Sequence, residues 1–248
     1  MVRFFLAIFL QIFWVAESLA DTSSLTSLET LHQGRDWMAV GRLSYQNGQG
    51  FCTATLVAPD LILTASHCVY DLNTGELLDL GHLEFQAGWR NGRAEAYSAI
   101  AKSVTFPDYL VPNTPKMENV RNDVALLKLL HPIRKHSVQP FAIAALPNNQ
   151  RSVAVVSYAL GRINAPSIQS SCDISDQTED ILSLNCDVDF GASGAPVFYF
   201  SEQGAIIVAI VSAVVQTAQG KKVFGPLLEP SLSRLKNALT NESALQSD

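Results

Sequence analysis

Charged side chains are scarce in this sequence of 248 residues. Only 16% of the residues are Asp, Glu, Lys or Arg, the 17 basic residues are outnumbered by 23 acidic ones, and 48% of the chain is hydrophobic. A chain this apolar folds rather than staying disordered, and its net charge of -6 excludes a polybasic nucleic-acid binder. The length suits one large domain or two small ones that share a core.

Motifs for several common chemistries are also missing. The chain has no G-x-x-x-x-G-K-[ST], no G-x-G-x-x-G after a strand, no H-E-x-x-H and no C-x-x-C. We therefore expect no cofactor and no metal. Asp71, Asn73, Glu76 and Asp79 have the spacing of calcium ligands, but a hairpin turn at Gly75 accounts for the same residues and is the interpretation we favour.

One long apolar run is present, at residues 4–16. Arg3 precedes it and Ser18-Leu19-Ala20 follows it, which is typical of a secretory signal peptide spanning residues 1–20. The alternative is an uncleaved membrane anchor, but the run falls short of the about 20 residues that span a bilayer. We expect a secreted or periplasmic protein that has no membrane contact after cleavage.

Residues 21–36 are polar and predict an N-terminal arm or propeptide, and residues 37–248 predict a domain made of short β-strands. Clusters of Gly, Pro, Asn and Asp separate the strand-like runs, which indicates an all-β barrel or sandwich. We place a crossing between two halves near residues 147–150. The exception to the β pattern is Pro230–Thr240, whose leucines share one helix face behind Ser231 as N-cap. The runs are Met38–Tyr45, Phe51–Val57, Leu61–Ala65, Ala94–Phe106, Val124–Leu130, Phe141–Leu146, Ser152–Leu160, Pro196–Phe200, Ala205–Val215 and Lys222–Phe224.

Three separated segments carry residue types suited to acyl transfer. The first is Thr64-Ala65-Ser66-His67-Cys68, where an imidazole that titrates near neutral pH follows an apolar run. The second begins Asn122-Asp123-Val124, with a carboxylate at the mouth of an apolar strand. A carboxylate there can accept a hydrogen bond from an imidazole N–H, although alone it would indicate only the end of a turn.

The third segment is Gly191-Ala192-Ser193-Gly194-Ala195-Pro196. Small residues on both sides of Ser193 allow backbone N–H groups to converge beside an exposed hydroxyl, as a tetrahedral oxyanion requires. Taken alone, this pattern is equally typical of a glycine-rich hairpin.

Together these segments resemble the trypsin/chymotrypsin-like serine peptidases, in that family's order of His, Asp and Ser. The resemblance is closest to the bacterial glutamyl-endopeptidase-like branch. It implies two six-stranded antiparallel β-barrels, with the active site in the cleft between them and a C-terminal helix. By resemblance, His67 is the general base, Asp123 its orienting partner and Ser193 the nucleophile, and the Gly191 and Ser193 N–H groups form the oxyanion hole.

The chain departs from the trypsin pattern at Ala192. Family members with a G-D-S-G-G-P loop have an Asp there, which pairs with the new N-terminus after activation. That salt bridge cannot form here, so cleavage between residues 21 and 36 is not expected to order the site.

The resemblance also implies two disulfides among the four cysteines, Cys52–Cys68 and Cys172–Cys186. On the chain-entropy model each contributes about 3 kcal/mol. The alternative of two free thiols at Cys172 and Cys186 is disfavoured by export.

The residues predicted to form the specificity pocket give conflicting indications of the preferred substrate side chain. By resemblance Asp187 lies at its floor, where an acid selects Lys or Arg, with Asp189 as a rival acid. Ser212 and Val214 occupy the wall, where Val214 would narrow the entrance and favour small apolar side chains. In the bacterial branch, a preference for glutamate depends on a His in the pocket wall. This chain has no His after His136, so glutamate ranks last. We rank small or medium apolar residues first and Lys or Arg second.

The sequence therefore predicts an exported serine endopeptidase that acts on a protein or peptide substrate as a monomer. The alternative is a catalytically inactive secreted protease homologue that acts as a binding protein.

Overall fold

The computed structural model describes residues 25–48, 50–111, 117–218, 220–229, 232–233 and 235–239. The predicted signal peptide of residues 1–20 lies outside the described residues, as do Pro230 and Ser231. Among the residues described, no helix is both long and apolar enough to span a membrane.

The chain begins with a short arm that lies on the second half of the protein. Strand β1 (Thr26–Ser27) pairs antiparallel with the later strand β9 (Arg162–Gln177). Helix α1 (Leu31–Gly34) starts with a capping box, in which the Thr30 side chain accepts from the Gln33 amide. Leu28 is buried, so the described part of the predicted arm is packed against the fold.

The first half is a closed six-stranded barrel. Its strands alternate between side chains that fill the barrel and side chains that face outward, and neighbouring strands are antiparallel. The order around the barrel is β2-β3-β4-β7-β6-β5. The strands are β2 (Val40–Tyr45), β3 (Gly50–Ala58), β4 (Leu61–Thr64), β5 (Leu83–Ala87), β6 (Ala96–Thr105) and β7 (Ala125–Leu129), with helix α2 (Met117–Asn122) before β7.

The second half is a curled sheet ordered β12-β11-β8-β9-β10-β14-β13. Its edges approach where Ala209 bridges to Leu227 and the Leu228 amide donates to the Val208 carbonyl, 3.1 Å away. The strands besides β9 are β8 (Ser152–Ala159), β10 (Ile181–Asn185), β11 (Pro196–Ser201), β12 (Gly204–Ile210), β13 (Ala213–Thr217) and β14 (Gly220–Pro226).

The predicted all-β class is confirmed, with a closed barrel in the first half and a curled half-barrel in the second. The predicted helix is also present, and its Leu232 and Leu235 are buried. Two strand predictions were wrong in detail. Phe141–Leu146 forms only an isolated bridge at Ile143, and Ala205–Val215 is split into β12 and β13 at Val211 and Ser212.

Aromatic side chains join the two halves. Trp37 packs against Phe141 and Phe198, with ring centroids 5.9 and 5.0 Å away. Phe198 and Tyr158 of the second half belong to the same buried cluster as the barrel interior. The two halves therefore share one apolar core.

Candidate active site

A cleft of about 1090 Å³ lies between the two halves. His67, Asp123 and Ser193, the three residues predicted to act together, all line it. So do Gly191, Ser212 and Val214.

His67 and Asp123 are joined by two hydrogen bonds. The His67 amide donates to Asp123 Oδ1 at 2.9 Å, and the ring Nδ1 lies 2.8 Å from Oδ2. Since a carboxylate only accepts, the ring proton sits on Nδ1, which leaves Nε2 as the acceptor. Burial lowers the pKa of His67, but the charge of Asp123 and its hydrogen bond outweigh burial and hold that pKa above its ordinary value.

Local structure fixes this pair. His67 sits in a 3₁₀ turn, Ser66–Val69, directly after β4, and Asp123 follows the end of helix α2. The Ser66 hydroxyl donates to the Val124 carbonyl at 2.9 Å and ties the two segments together. The Asp123 side chain is buried, so its charge interacts with His67 in a site of low polarity.

Ser212 makes a contact with Asp123 that the sequence did not indicate. It was predicted as pocket wall, and it does line the cleft, but its hydroxyl also donates to Asp123 Oδ2 at 2.5 Å. Asp123 thus accepts hydrogen bonds from both halves of the molecule.

The Ser193 loop is held against the first barrel. The Thr53 amide donates to the Ser193 carbonyl at 2.9 Å, and the Thr53 hydroxyl donates to the Gly191 carbonyl at 2.8 Å. Gly191 and Gly194 have φ angles of +96° and +76°, and a Cβ on Gly194 would lie 2.2 Å from Thr64 Oγ1. Only glycine meets both the conformation and the close approach.

Two amides in this loop are available to a ligand. The Ala192 amide donates to the Asp189 carbonyl, and that of Gly194 donates to the Val211 carbonyl. In the part of the chain that the structure describes, the Gly191 and Ser193 amides have no protein acceptor. These are the two donors predicted for an oxyanion hole.

Both disulfides join the cysteines that the resemblance paired. Cys52 bonds Cys68, and Cys172 bonds Cys186. Cys52, Cys68 and His67 bring ligand-type atoms within 4.8 Å of one another, but the disulfide leaves no thiolate to bind a metal. In the loop after His67, Asp71 Oδ1 accepts from the Asn73 amide at 2.8 Å, which is the predicted turn chemistry.

Asp187 and Asp189, the two acids predicted for the specificity pocket, both form ion pairs with Lys221. Lys221 Nζ lies 2.9 Å from Asp187 Oδ1 and 3.2 Å from Asp189 Oδ2. Asp189 and Lys221 line the cleft, whereas Asp187 is outside the set of described residues that line it. The hydrogen bond to Asp187, followed by that to Asp189, raises the pKa of Lys221 against the opposing effect of burial. Nothing in the sequence indicated this cation.

A family model described as Trypsin matches residues 29–227. The chain belongs to the trypsin family. Human Serine protease 23 is 31% identical over 165 residues, which are 59% of this chain and 42% of that protein. Glutamyl endopeptidase of Bacillus licheniformis is 27% identical over 151 residues, 60% of this chain and 45% of its own. The matched region is thus less than half of either of these trypsin-family relatives.

Solved structures show the same trypsin-like fold. A Glu endopeptidase in complex with MPD has a TM-score of 0.70 at 18% identity, covering 87% of this chain and 95% of that one. The thermostable serine protease AL20 from an extremophilic microorganism has a TM-score of 0.65 at 19% identity, with coverages of 83% and 99%. The predicted resemblance to trypsin-like proteases, including glutamyl endopeptidases, is confirmed.

Proposed function

We propose that this chain is an exported serine endopeptidase, with residues 1–20 removed as a signal peptide. The observation that carries the proposal is the His67–Asp123 pair at 2.8 Å, in one cleft with a serine loop tied to the same barrel. Membership of the trypsin family supports hydrolysis of peptide bonds.

In each of the two half-reactions, His67 acts first as a base and then as an acid. Ser193 Oγ attacks the peptide carbonyl carbon while His67 Nε2 takes its proton, and the carbonyl oxygen becomes an oxyanion between the Gly191 and Ser193 amides. The imidazolium, stabilised by Asp123, gives that proton to the leaving amine as the C–N bond breaks. Water then attacks the acyl-enzyme while His67 Nε2 takes a proton from it. As the bond between the acyl carbon and Ser193 Oγ breaks, His67 gives that proton to Oγ, which releases the carboxylic acid and restores the Ser193 hydroxyl.

We propose small or medium apolar side chains at the residue preceding the cleaved bond. Val214 lies on the cleft wall with 40% of its surface exposed to an incoming side chain. Lys221 pairs with both Asp187 and Asp189, and Arg162 also interacts electrostatically with both, so the acids that would attract Lys or Arg are largely compensated. As the residue before the cleaved bond, Lys or Arg therefore ranks second and Glu ranks last.

Covalent labelling tests the nucleophile. The mature protein is treated with a fluorophosphonate probe, and the modified residue is mapped by mass spectrometry. Labelling confined to Ser193, and lost in Ser193→Ala and His67→Ala, is the expected result. In the Ser193→Ala variant, kcat should fall by a factor on the order of 10⁶. A folded, disulfide-bonded protein that takes up no probe contradicts the proposal and favours the inactive homologue.

A further inference from the structure

Arg42 is a buried cation that the proposed mechanism does not use. Arg42 is only 7% exposed, and it lines the cleft. Among the described residues, no carboxylate pairs with its guanidinium, and Nε has no hydrogen-bond partner. A buried charge without a counter-ion is costly, so its presence in a cleft points to a ligand of opposite charge.

Two aromatic rings lie against the Arg42 guanidinium. Its central carbon lies 4.5 Å from the centroid of the Phe51 ring and 4.9 Å from that of Trp89. Aromatic rings therefore cover its planar surface, and its hydrogen bonds must be made through its edge. The edge of an arginine fork matches the two oxygens of a carboxylate.

One of these rings, Phe51, connects Arg42 to the loop that carries the nucleophile. A Cβ on Gly191 would lie 2.4 Å from the Phe51 ring, so Phe51 packs directly against the start of the Ser193 loop. The other end of that loop, at Gly194, bonds to Val211, which leads to the pocket-wall residues Ser212 and Val214. Phe51 also precedes Cys52, whose disulfide with Cys68 lies next to His67 in the chain, and His67 is the group that protonates the leaving amine in the proposed reaction. Arg42 is therefore connected through Phe51 to the His67 side of the nucleophile, where we expect the leaving-group part of a substrate to run.

We propose that Arg42 is a substrate-binding residue that receives a carboxylate located C-terminal to the scissile bond. The inference rests on the proposed peptidase function and specifies one of its substrate classes. The carboxylate is either an Asp or Glu side chain or the free C-terminus of a short peptide. Burial lowers the pKa of Arg42 from its ordinary value, but that value is so high that the group stays charged.

The test uses matched pairs of internally quenched peptides with Ala before the bond. Glu replaces Gln at each of the first three positions after the bond, and a further pair ends in a free carboxylate or an amide. The wild type is expected to favour the anionic member of one pair at least tenfold in kcat/KM. The Glu pairs and the terminal pair then distinguish the two sources of the carboxylate.

Variants assign that preference to Arg42. In Arg42→Met the ratio should fall to about one, and in Arg42→Lys it should fall several-fold because the fork is lost. Arg93→Met, a change at an exposed arginine, should keep the wild-type ratio. Equal rates for every pair in the wild type overturn the proposal, and so does an undiminished ratio in Arg42→Met. If Arg42→Met does not fold, an undiminished ratio in Arg42→Lys overturns it instead.

A failure of the proposed function gives a different pattern. In that case no peptide is cleaved and Ser193 is not labelled. Calorimetric binding of the same peptides to Ser193→Ala protein then tests the site alone, with the same tenfold ratio expected in Kd. Equal Kd values within every pair overturn the carboxylate site.

Discussion

In the closed barrel, His67 and Asp123 are held by several bonds within that barrel and by one bond from Ser212 of the other half. The Ser193 loop of the curled sheet has bonds within its own half and, in addition, several close contacts with the barrel. The first pair is fixed by the His67–Asp123 bonds and by the Ser66 hydroxyl. The serine loop depends on Thr53 and on the close approach of Gly194 to Thr64. The serine side of the site therefore combines hydrogen bonds within its own half, at Ala192 and Gly194, with contacts to the other half.

This difference bears on activation. Ala192 is buried in the second apolar cluster, where trypsin-like enzymes of the G-D-S-G-G-P type have an acid. The loop here has hydrogen bonds from the first barrel instead of a charge pair with a new N-terminus. Variants that act on one half or on the contact between them can separate these contributions.

Among variants that act on the contacts just compared, the largest effect is expected from Asp123→Asn, which changes the barrel pair and the bond from Ser212 to Asp123. An amide cannot stabilise the imidazolium or fix its tautomer, so kcat should fall about 10⁴-fold. Because Asp123 raises the pKa of His67, the rising limb of the wild-type pH profile of kcat/KM should lie above about 6.5. In Asp123→Asn that limb should move to lower pH, since burial alone remains.

The exposed Asp108→Asn variant is the control for this change and should keep both rate and profile. A pH limb that stays in place in Asp123→Asn would show that His67 is not the titrating base.

Gly194→Ala tests the contact between the halves. A Cβ there would lie 2.2 Å from Thr64 Oγ1 and 2.4 Å from the Thr53 carbonyl oxygen, so the serine loop must move. A displacement of about 1 Å costs on the order of 10² in kcat. The kcat measured in the steady state and the rate of fluorophosphonate labelling of Ser193 should both fall, by similar factors.

Gly92→Ala is the matched control. Gly92 also has positive φ, +85°, but a Cβ there meets nothing within 4 Å. It should therefore cost about 1 to 2 kcal/mol of backbone strain and leave kcat unchanged. If both variants lose activity equally, backbone strain rather than loop displacement is responsible.

The same comparison explains what the sequence could predict. The segments at His67, Asp123 and Ser193 are local patterns, so they were found without the fold. Thr53 bonds a residue 138 positions later, and the ion pairs of Lys221 span more than 30 positions, so no local pattern indicated either. Strand β9 was missed because its sixteen residues are largely polar, and its pairing with β8, β10 and β1 defines it.

Lys221→Met tests whether the acids of the curled sheet influence which residue is preferred before the cleaved bond. Removing the cation leaves Arg162 as the remaining positive charge that interacts with Asp187 and Asp189. The two acids then carry an excess negative charge beside the cleft, so peptides with Lys or Arg before the bond should gain about tenfold in kcat/KM relative to Ala peptides. Lys222→Met is the control, because Lys222 faces the Phe224 ring rather than these acids. A ratio of Lys to Ala cleavage that does not change in Lys221→Met would remove both aspartates from the specificity site.

The smallest effect is expected from Thr53→Val, which keeps the shape of the side chain and removes its hydroxyl. That hydroxyl donates to the Gly191 carbonyl at 2.8 Å and accepts from the Tyr158 amide at 3.1 Å. Leaving these groups unpaired should cost about 1 to 3 kcal/mol in the free energy of unfolding and several-fold in kcat. Thr55→Val should cost nothing, because within the described residues Thr55 Oγ1 is buried without a partner. Urea denaturation of the two variants, read beside their kcat values, compares a threonine that joins the halves with one that does not. Equal stabilities would show that the Thr53 hydroxyl contributes nothing to holding the serine loop.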